Sequence, residues 1–137
     1  MEAAQALADL TEISSQIDAA VLASADGALV ASTLADERGK ALAEGAAELM
    51  RAAEQARGEA AASPVQLQAE LAEGSVFVVR DGGHLVAAVT GPEPTVGLVF
   101  YDLKTCLRLV GEHAGKPAAA RRTRKKKEEE EPQGGEA

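Results

Sequence analysis

Few side chains in this 137-residue sequence could act as nucleophiles or general bases. Ser24, Asp26 and His84 could form a hydrolytic triad only if three predicted loop tips converge, and no nucleophile elbow or oxyanion motif accompanies them. Cys106 falls within a predicted helix, where a packed thiol is expected more often than a reactive one. The sequence therefore favours a protein without catalytic residues.

Metal and cofactor binding are not indicated either. His84, Cys106 and His113 have no spacing typical of a ligand set, and we expect both histidines to be solvated. The turn at Asp81-Gly82-Gly83 is too short for a phosphate-binding loop and precedes a strand rather than a helix. We expect no metal and no other cofactor, and the chain does not resemble a GTPase itself.

Composition and charge exclude several classes of protein. Apolar residues make up 46% of the chain and aromatic residues 2%, so the core must be built from Ala, Val and Leu, without aromatic platforms for nucleic-acid bases. Residues 1–115 carry 7 Lys and Arg against 17 Asp and Glu, which disfavours binding to nucleic acid. The sequence has no apolar run of membrane-spanning length and no signal-peptide pattern at its start. We therefore expect no membrane insertion and a cytoplasmic location.

The C-terminal segment has a different composition. Residues 116–137 join a basic run at 121–127 to four glutamates at 128–131, with no apolar residue larger than Ala. Such a segment cannot bury enough apolar surface to order itself. We predict one domain over residues 1–115 and a disordered charged tail over 116–137. The basic run could contact an anionic surface, but the adjacent glutamates favour a solubilising role.

The chain is arranged around an Ala-rich segment, residues 36–59. Its residues favour a long helix, with Asp36 as the N-cap and Gly58 near the C-terminal end. Apolar residues at three- and four-residue spacing predict one stripe, formed by Leu42, Ala46, Leu49, Ala53 and Ala56. Because these side chains are mostly small, the helix could lie close to a sheet, or also to a second copy of itself.

Two further helices are predicted at the ends of the domain. The first covers residues 2–15, and Leu7, Leu10 and Ile13, continued by Ile17 after the helix, lie close to one face. The second follows Thr95, a predicted N-cap, and ends near residues 111–115. Its apolar positions are Val96, Val99, Phe100, Leu103, Leu107 and Val110.

Five strands are predicted between these helices. Asp26-Gly27 indicates a hairpin of strands 18–24 and 28–33. Residues 65–71 alternate apolar and polar, whereas 76–79 and 85–90 are apolar throughout, as expected of strands covered on both faces. The order α-β-β-α-β-β-β-α predicts an α+β fold with three α/β/α layers. A five-stranded, mostly antiparallel sheet would carry the long helix on one face and the terminal helices on the other.

The order of elements, the turn Ser24-Ala25-Asp26-Gly27 and the segment Gly97-Leu98-Val99-Phe100-Tyr101 resemble the roadblock domain, over about residues 5–113. The fold implied is the one shared by roadblock, longin and profilin domains. The resemblance implies a non-enzymatic module that homodimerises and offers a platform to a small Ras-like GTPase or another roadblock-like protein. Two hypotheses follow: an adaptor that regulates a Ras-like GTPase, and a scaffold that assembles with other small-domain proteins without one.

In the family, the long helix and the strand after it form the dimer face. Here these are residues 36–59 and 65–71, whose small helix residues and polar strand face suit close contact between two copies. The predicted interface residues are Leu42, Gly45, Ala46, Leu49, Met50, Ala53, Val65, Gln66, Gln68 and Glu70.

Overall fold

The computed structural model describes residues 2–58 and 65–115, in which three helices and five strands occur. The helices are α1 (Ala3–Ile13), α2 (Asp36–Arg57) and α3 (Val96–Gly115). The strands are β1 (Ile17–Ser24), β2 (Leu29–Ser32), β3 (Val65–Leu71), β4 (Gly74–Asp81) and β5 (His84–Thr90). The predicted order of elements is confirmed. The predicted exit from the long helix after residue 58 and the predicted tail at 116–137 lie outside the described residues.

The five strands form one sheet in the order β2-β1-β5-β4-β3, and all neighbouring strands are antiparallel. Two-residue turns connect β3 to β4 and β4 to β5, so these three strands form a meander. β1 and β5 pair across most of their length in the middle of the sheet. β2 and β3 are the two edge strands.

The sheet separates two hydrophobic clusters, because successive side chains of a strand point to opposite faces. On one face, α1 and α3 cover Leu22, Phe77 and Val86, and the rings of Phe77 and Phe100 meet edge to face with centroids 5.0 Å apart. The cluster on the other face is built from α2 and strand residues that include Val21, Val78 and Leu85. The apolar runs of β4 and β5 thus supply both clusters, and the predicted three-layer fold is confirmed.

Local signals explain where α2 begins and ends. Gly58 closes the helix with a left-handed backbone at φ 95°, and its N–H donates to the carbonyl of Glu54. The N-cap residue is Ala35, not Asp36 as predicted; Asp36 is the first helical residue. With Glu37 it lies in the first turn, where negative charge interacts favourably with the helix dipole.

The buried stripe of α2 is displaced from the predicted one by about one residue, or ~100° of rotation about the helix axis. The buried residues are Gly39, Ala43, Ala46, Ala47 and Met50. Leu42 and Leu49 are half-buried beside this stripe, and Ala53 and Ala56 are exposed. Alanine occurs on several faces of α2, so the spacing of apolar residues could not decide which face meets the sheet.

Two predictions for the terminal helices need correction. α1 ends at Ile13 rather than at residue 15, and the N–H of Ser14 donates to the carbonyl of Leu10. Ile13, predicted to face the core, has 74% of its surface exposed. Val96 at the start of α3 is exposed as well, whereas most of the other apolar residues predicted for this helix are buried.

Gly39 allows α2 to lie directly on β2. A Cβ atom added at Gly39 would lie 2.5 Å from Oγ and 2.9 Å from Cβ of Ser32. The Ser32 hydroxyl is held in place because it donates to the carbonyl of Leu34 and accepts from the N–H of the same residue. We therefore expect Gly39→Ala to lower the free energy of unfolding by about 1–3 kcal/mol, although alanine favours a helix.

Gly111→Ala in α3 is the matched control, because a Cβ there would meet no described atom within 4 Å apart from its own stretch of helix. This change should raise the free energy of unfolding by about 0.5–1 kcal/mol through helix propensity. Urea unfolding followed by circular dichroism measures both variants. A Gly39→Ala protein as stable as the parent would show that the contact between α2 and β2 is looser than described here.

Candidate interaction surface

α2 leaves part of the sheet uncovered. It packs mainly against β2, β1 and β5, and its axis does not reach over β3 at the far edge. On the α2 face of β3, Val65, Leu67 and Ala69 are therefore only half-buried, and Leu71 is 64% exposed. An apolar strip remains between α2 and the outer edge of the sheet.

The flank of α2 beside this strip is apolar as well. Leu42 and Leu49 are half-buried and pack against the same cluster as the strand residues of the strip. Gly45 and Ala53 are exposed on this side of the helix. The opposite flank carries exposed polar residues, namely Lys40, Glu44, Glu48, Arg51 and Gln55. The apolar strip and the apolar flank therefore form one continuous surface, named here the α2–β3 face.

Ala46 and Met50, both predicted as interface residues, are core residues of their own chain. Each has 2% of its surface exposed and packs in the cluster beneath α2. They support the helix from below and present almost no area to a partner. The predicted helix residues that remain accessible are Leu42, Gly45, Leu49 and Ala53.

β3 pairs with β4 along its whole length, and its other edge has no neighbouring strand in the described part of the chain. Gln66, Gln68 and Glu70 point away from α2, toward the face that carries α1 and α3. Gln68 is half-buried, and its Nε2 donates to the Oγ of Ser75 at 3.1 Å. β3 thus has an apolar side, a polar side and a free backbone edge.

An ion pair fixes the C-terminal half of α2 to the sheet. The guanidinium of Arg80 in β4 donates to the carboxylate of Glu54 in α2, and both side chains are mostly buried. Arg80 lies opposite Val65 in the β3–β4 ladder. The α2–β3 face is therefore bounded at one end by this charged pair.

Comparison with known proteins identifies the family of this chain. The family model of the Roadblock/LC7 domain matches residues 3–90, which run from α1 to the end of β5. The chain belongs to the Roadblock/LC7 domain family. No curated protein sequence matches the chain.

Solved structures share the fold of this roadblock domain. A Roadblock/LC7 domain from Streptomyces avermitilis superposes with a TM-score of 0.74 at 19% identity, covering 85% of this chain and 100% of that chain. MglB of Myxococcus xanthus has a TM-score of 0.65 at 18% identity, covering 82% and 94%. An MglB structure with a tetrameric arrangement has a TM-score of 0.66 at 17% identity, covering 82% and 88%.

A second exposed feature of the roadblock domain lies on the other face of the sheet, beside α3. Tyr101, Lys104 and Arg108 line an open groove together with Val79 and Asp81. The Tyr101 side chain is 66% exposed, so an aromatic ring and two cations face solvent in a domain of acidic net charge. This surface was not predicted from the sequence. Its available signal was the helical spacing of one tyrosine and two basic residues.

The structure brings Ser24, Asp26 and His84 together at one end of the sheet. Ser24 lies opposite His84 in the β1–β5 ladder, and its hydroxyl donates to the carboxylate of Asp26. In a hydrolytic triad the carboxylate orients the histidine, whereas here it holds the serine. Hydrogen bonds from Ser24 and from the N–H of Ala28 lower the pKa of Asp26. These bonds order the turn between β1 and β2.

Cys106 is packed between α1 and α3, as the sequence predicted. Its thiol is buried and donates to the carbonyl of Ala6 at 3.8 Å. Burial, with a smaller contribution from the negative charge of Asp9, raises the pKa of Cys106 to about 11. The thiolate is the reactive form of cysteine, so this residue is a poor nucleophile at neutral pH.

Two further sequence expectations concern metals and membranes. Within the described residues, no group of three or more His, Cys, Asp and Glu side chains could hold a metal ion. No helix in the same residues is both long and apolar enough to cross a membrane. His84 is half-buried in its hairpin, and the side chain of His113 lies outside the described residues.

Proposed function

We propose that this roadblock domain is a non-enzymatic homodimeric adaptor that binds and regulates a small Ras-like GTPase. The observation that carries the proposal is the α2–β3 face, an apolar surface beside a free strand edge. The resemblance to the family implies that α2 and β3 form the dimer interface. The tetrameric arrangement of a structurally similar MglB also supports self-association.

The dimer would place α2 beside the partner's α2 and β3 beside the partner's β3. Leu49, Ala53 and Leu71 would then lose contact with water, and the two sheets would join into one. The join also removes an exposed strand edge, which would otherwise be prone to pair with unrelated chains.

The GTPase contact is assigned to the groove beside α3. A two-fold axis normal to the sheet places both copies of this groove on the same face of the joined sheet, one on each side of the β3 pair. Tyrosine and arginine are among the side chains enriched where protein–protein binding energy is concentrated, and Tyr101 and Arg108 both line this groove. The α2–β3 face would thus form the dimer, and the groove on the other face of the sheet would bind the GTPase.

The proposal is tested by affinity capture from an extract of the source cell. The tagged roadblock domain is incubated with extract containing GDP or a non-hydrolysable GTP analogue, and the retained proteins are identified by mass spectrometry. We expect a Ras-like GTPase, and binding of the purified pair should depend on the nucleotide. If no GTP-binding protein is recovered under either condition, the GTPase part of the proposal fails.

Tyr101→Ala should weaken binding of that GTPase by about tenfold or more and leave the dimer intact, because a central aromatic contact is typically worth over 1 kcal/mol. Val30→Ala is the matched control, since Val30 is another exposed large side chain but lies on β2 at the opposite edge of the sheet. If Tyr101→Ala binds the GTPase with wild-type affinity, the contact does not involve this groove.

A scaffold without a GTPase is the second candidate. The same α2–β3 face could pair with the corresponding face of a different roadblock domain, because its apolar flank does not require an identical partner. Affinity capture tests for the GTPase, and sedimentation of the purified chain tests the homodimer. A species of 14.0 kDa at high concentration would contradict the homodimer and favour assembly with another protein.

A further inference from the structure

The register of the β3–β4 ladder determines which backbone groups of β3 face outward. Successive residues of an antiparallel strand direct their N–H and C=O groups alternately to the two sides. The two-residue turn at Ala72-Glu73 makes Leu71 and Gly74 the hydrogen-bonded pair next to the turn. The residues of β3 that bond to β4 are therefore Val65, Leu67, Ala69 and Leu71.

The β4–β5 ladder supports the same assignment. Asp81 and His84 flank the two-residue turn at Gly82-Gly83, so they form the first hydrogen-bonded pair on that side. Alternate residues of β4 from Asp81 then bond to β5, and the residues between them bond to β3. Hence Gln66, Gln68 and Glu70 are the residues of β3 whose backbone groups point to the free edge.

We propose that two copies pair their β3 strands antiparallel with Gln68 on the two-fold axis, and that Gln68 thereby acts as the self-recognition residue of the dimer. This inference rests on the homodimer proposed above. In this register Gln68 lies opposite the partner's Gln68, and Gln66 lies opposite the partner's Glu70. All three residues with outward backbone groups then exchange hydrogen bonds with their counterparts.

The neighbouring registers satisfy fewer backbone groups. If the axis passed through Leu67, Glu70 would extend past Val65, the first residue of the partner's β3, and would have no strand residue opposite it. If it passed through Ala69, Gln66 would lie opposite the partner's Ala72 in the turn rather than in a strand. The register centred on Gln68 alone uses the whole outward edge of β3.

The same register also matches the side chains. On the α2 side, Val65 lies opposite the partner's Leu71 and Leu67 opposite the partner's Ala69. These are non-hydrogen-bonded pairs, in which cross-strand side chains approach each other most closely. Each Leu71, exposed in the single chain, would gain an apolar neighbour. On the other side, the carboxamide of Gln66 can donate to the partner's Glu70 carboxylate.

A residue on a two-fold axis meets its own copy, so its charge decides whether two identical chains can pair. A glutamine at this position is neutral and can both donate and accept a hydrogen bond. In the single chain, the bond from Gln68 Nε2 to Ser75 Oγ draws the carboxamide toward β4, so in the dimer this side chain would turn outward for the two carboxamides to bond to each other. A lysine or a glutamate at this position would face a like charge.

The test is a pair of charge variants, Gln68→Lys and Gln68→Glu, examined by analytical ultracentrifugation. Each alone should raise the dimer Kd by about tenfold or more, because like charges meet directly across the strands. An equimolar mixture should recover dimers, and native mass spectrometry should show that these contain one chain of each kind. Gln68→Thr, neutral and well suited to a strand, is the control and should keep the dimer. Circular dichroism verifies that all variants are folded.

Gln66 provides an independent check of the register. Gln66→Glu should weaken the dimer, because it faces the partner's Glu70, and the further change Glu70→Lys should restore it. The inference is overturned if both Gln68 variants dimerise with wild-type Kd, or if their mixture shows no preference for mixed dimers. A wild-type chain that is monomeric would instead contradict the dimer itself, so the two failures are distinguishable.

Discussion

Phe77→Ala is expected to lower the free energy of unfolding by about 3–5 kcal/mol, the usual cost of truncating a fully buried aromatic residue. Phe77 has no exposed surface and contacts the ring of Phe100 edge to face. Its cross-strand neighbours are Ala88 on β5 and Gln68 on β3, and an alanine has no rotamer that could fill the space left by the ring. Because small domains are stabilised by about 5–15 kcal/mol in total, this single change removes a large share.

Two controls separate cavity formation from a general effect of losing aromatic rings. Phe77→Leu keeps most of the volume and should cost less than about 1.5 kcal/mol. Tyr101→Ala removes an exposed ring and should change stability by no more than about 0.5 kcal/mol. Urea denaturation at low protein concentration gives all three values. A loss below 1 kcal/mol for Phe77→Ala would mean that the cluster on this face can collapse around the vacancy.

Leu49→Glu and Met50→Glu are expected to fail in different ways, although the two residues are adjacent in α2. Met50 is 2% exposed and lies against the sheet, so a carboxylate there would be buried without a partner. We expect Met50→Glu to destabilise the folded chain by more than about 3 kcal/mol. Leu49 lies on the flank of the helix, where a carboxylate in the single chain would remain in contact with water.

In the proposed dimer, Leu49→Glu would bring two like charges into a desolvated contact. We expect its Kd for dimerisation to rise about 100-fold while the melting temperature measured on the monomer stays close to that of the parent. Sedimentation and thermal melts monitored by circular dichroism distinguish the two variants. A Leu49→Glu chain that remains dimeric would move the interface to another surface, and a normally stable Met50→Glu chain would contradict its burial beneath α2.

Much of the fold was predictable because its turns and strands carry strong local signals. Asp26-Gly27 and Gly82-Gly83 permit tight turns, and continuous apolar runs on both sides of the second turn indicate strands covered on both faces. These features define an antiparallel meander and leave few possible positions for the helices. The alternation in residues 65–71 likewise predicted the two different sides of β3.

The face of α2 that meets the sheet was not predictable, for a physical reason. Periodicity identifies a buried face only when large apolar side chains are confined to it. In α2 alanine occurs on several sides, and the two leucines lie on the flank while Met50 and Gly39 lie beneath. Gly39 lies against Ser32, whose Oγ would be only 2.5 Å from a Cβ at position 39, and this close contact depends on tertiary structure.

The candidate site was predictable in part. The sequence indicated which helix and strand have small or alternating side chains, but it could not distinguish Leu49 on the flank from Met50 below it. The groove beside α3 was missed because Tyr101 and Arg108 join residues of β4 there, and that neighbourhood exists only in the folded chain. Ile13 was predicted to face the core because it continues the apolar spacing of α1, but it is the last residue of the helix and lies at the surface.

The pairing of β1 with β5 has a consequence for the order in which the chain folds. It joins residues 17–24 to residues 84–90, with α2 and three other strands between them in the chain. Closing so long a loop costs chain entropy before any contact forms, whereas β3, β4 and β5 need only two-residue turns to pair. We therefore expect the meander to form early and β1 to insert late. The free edge of β3 would then be complete before the monomer is, so that association of two chains and folding of each proceed together.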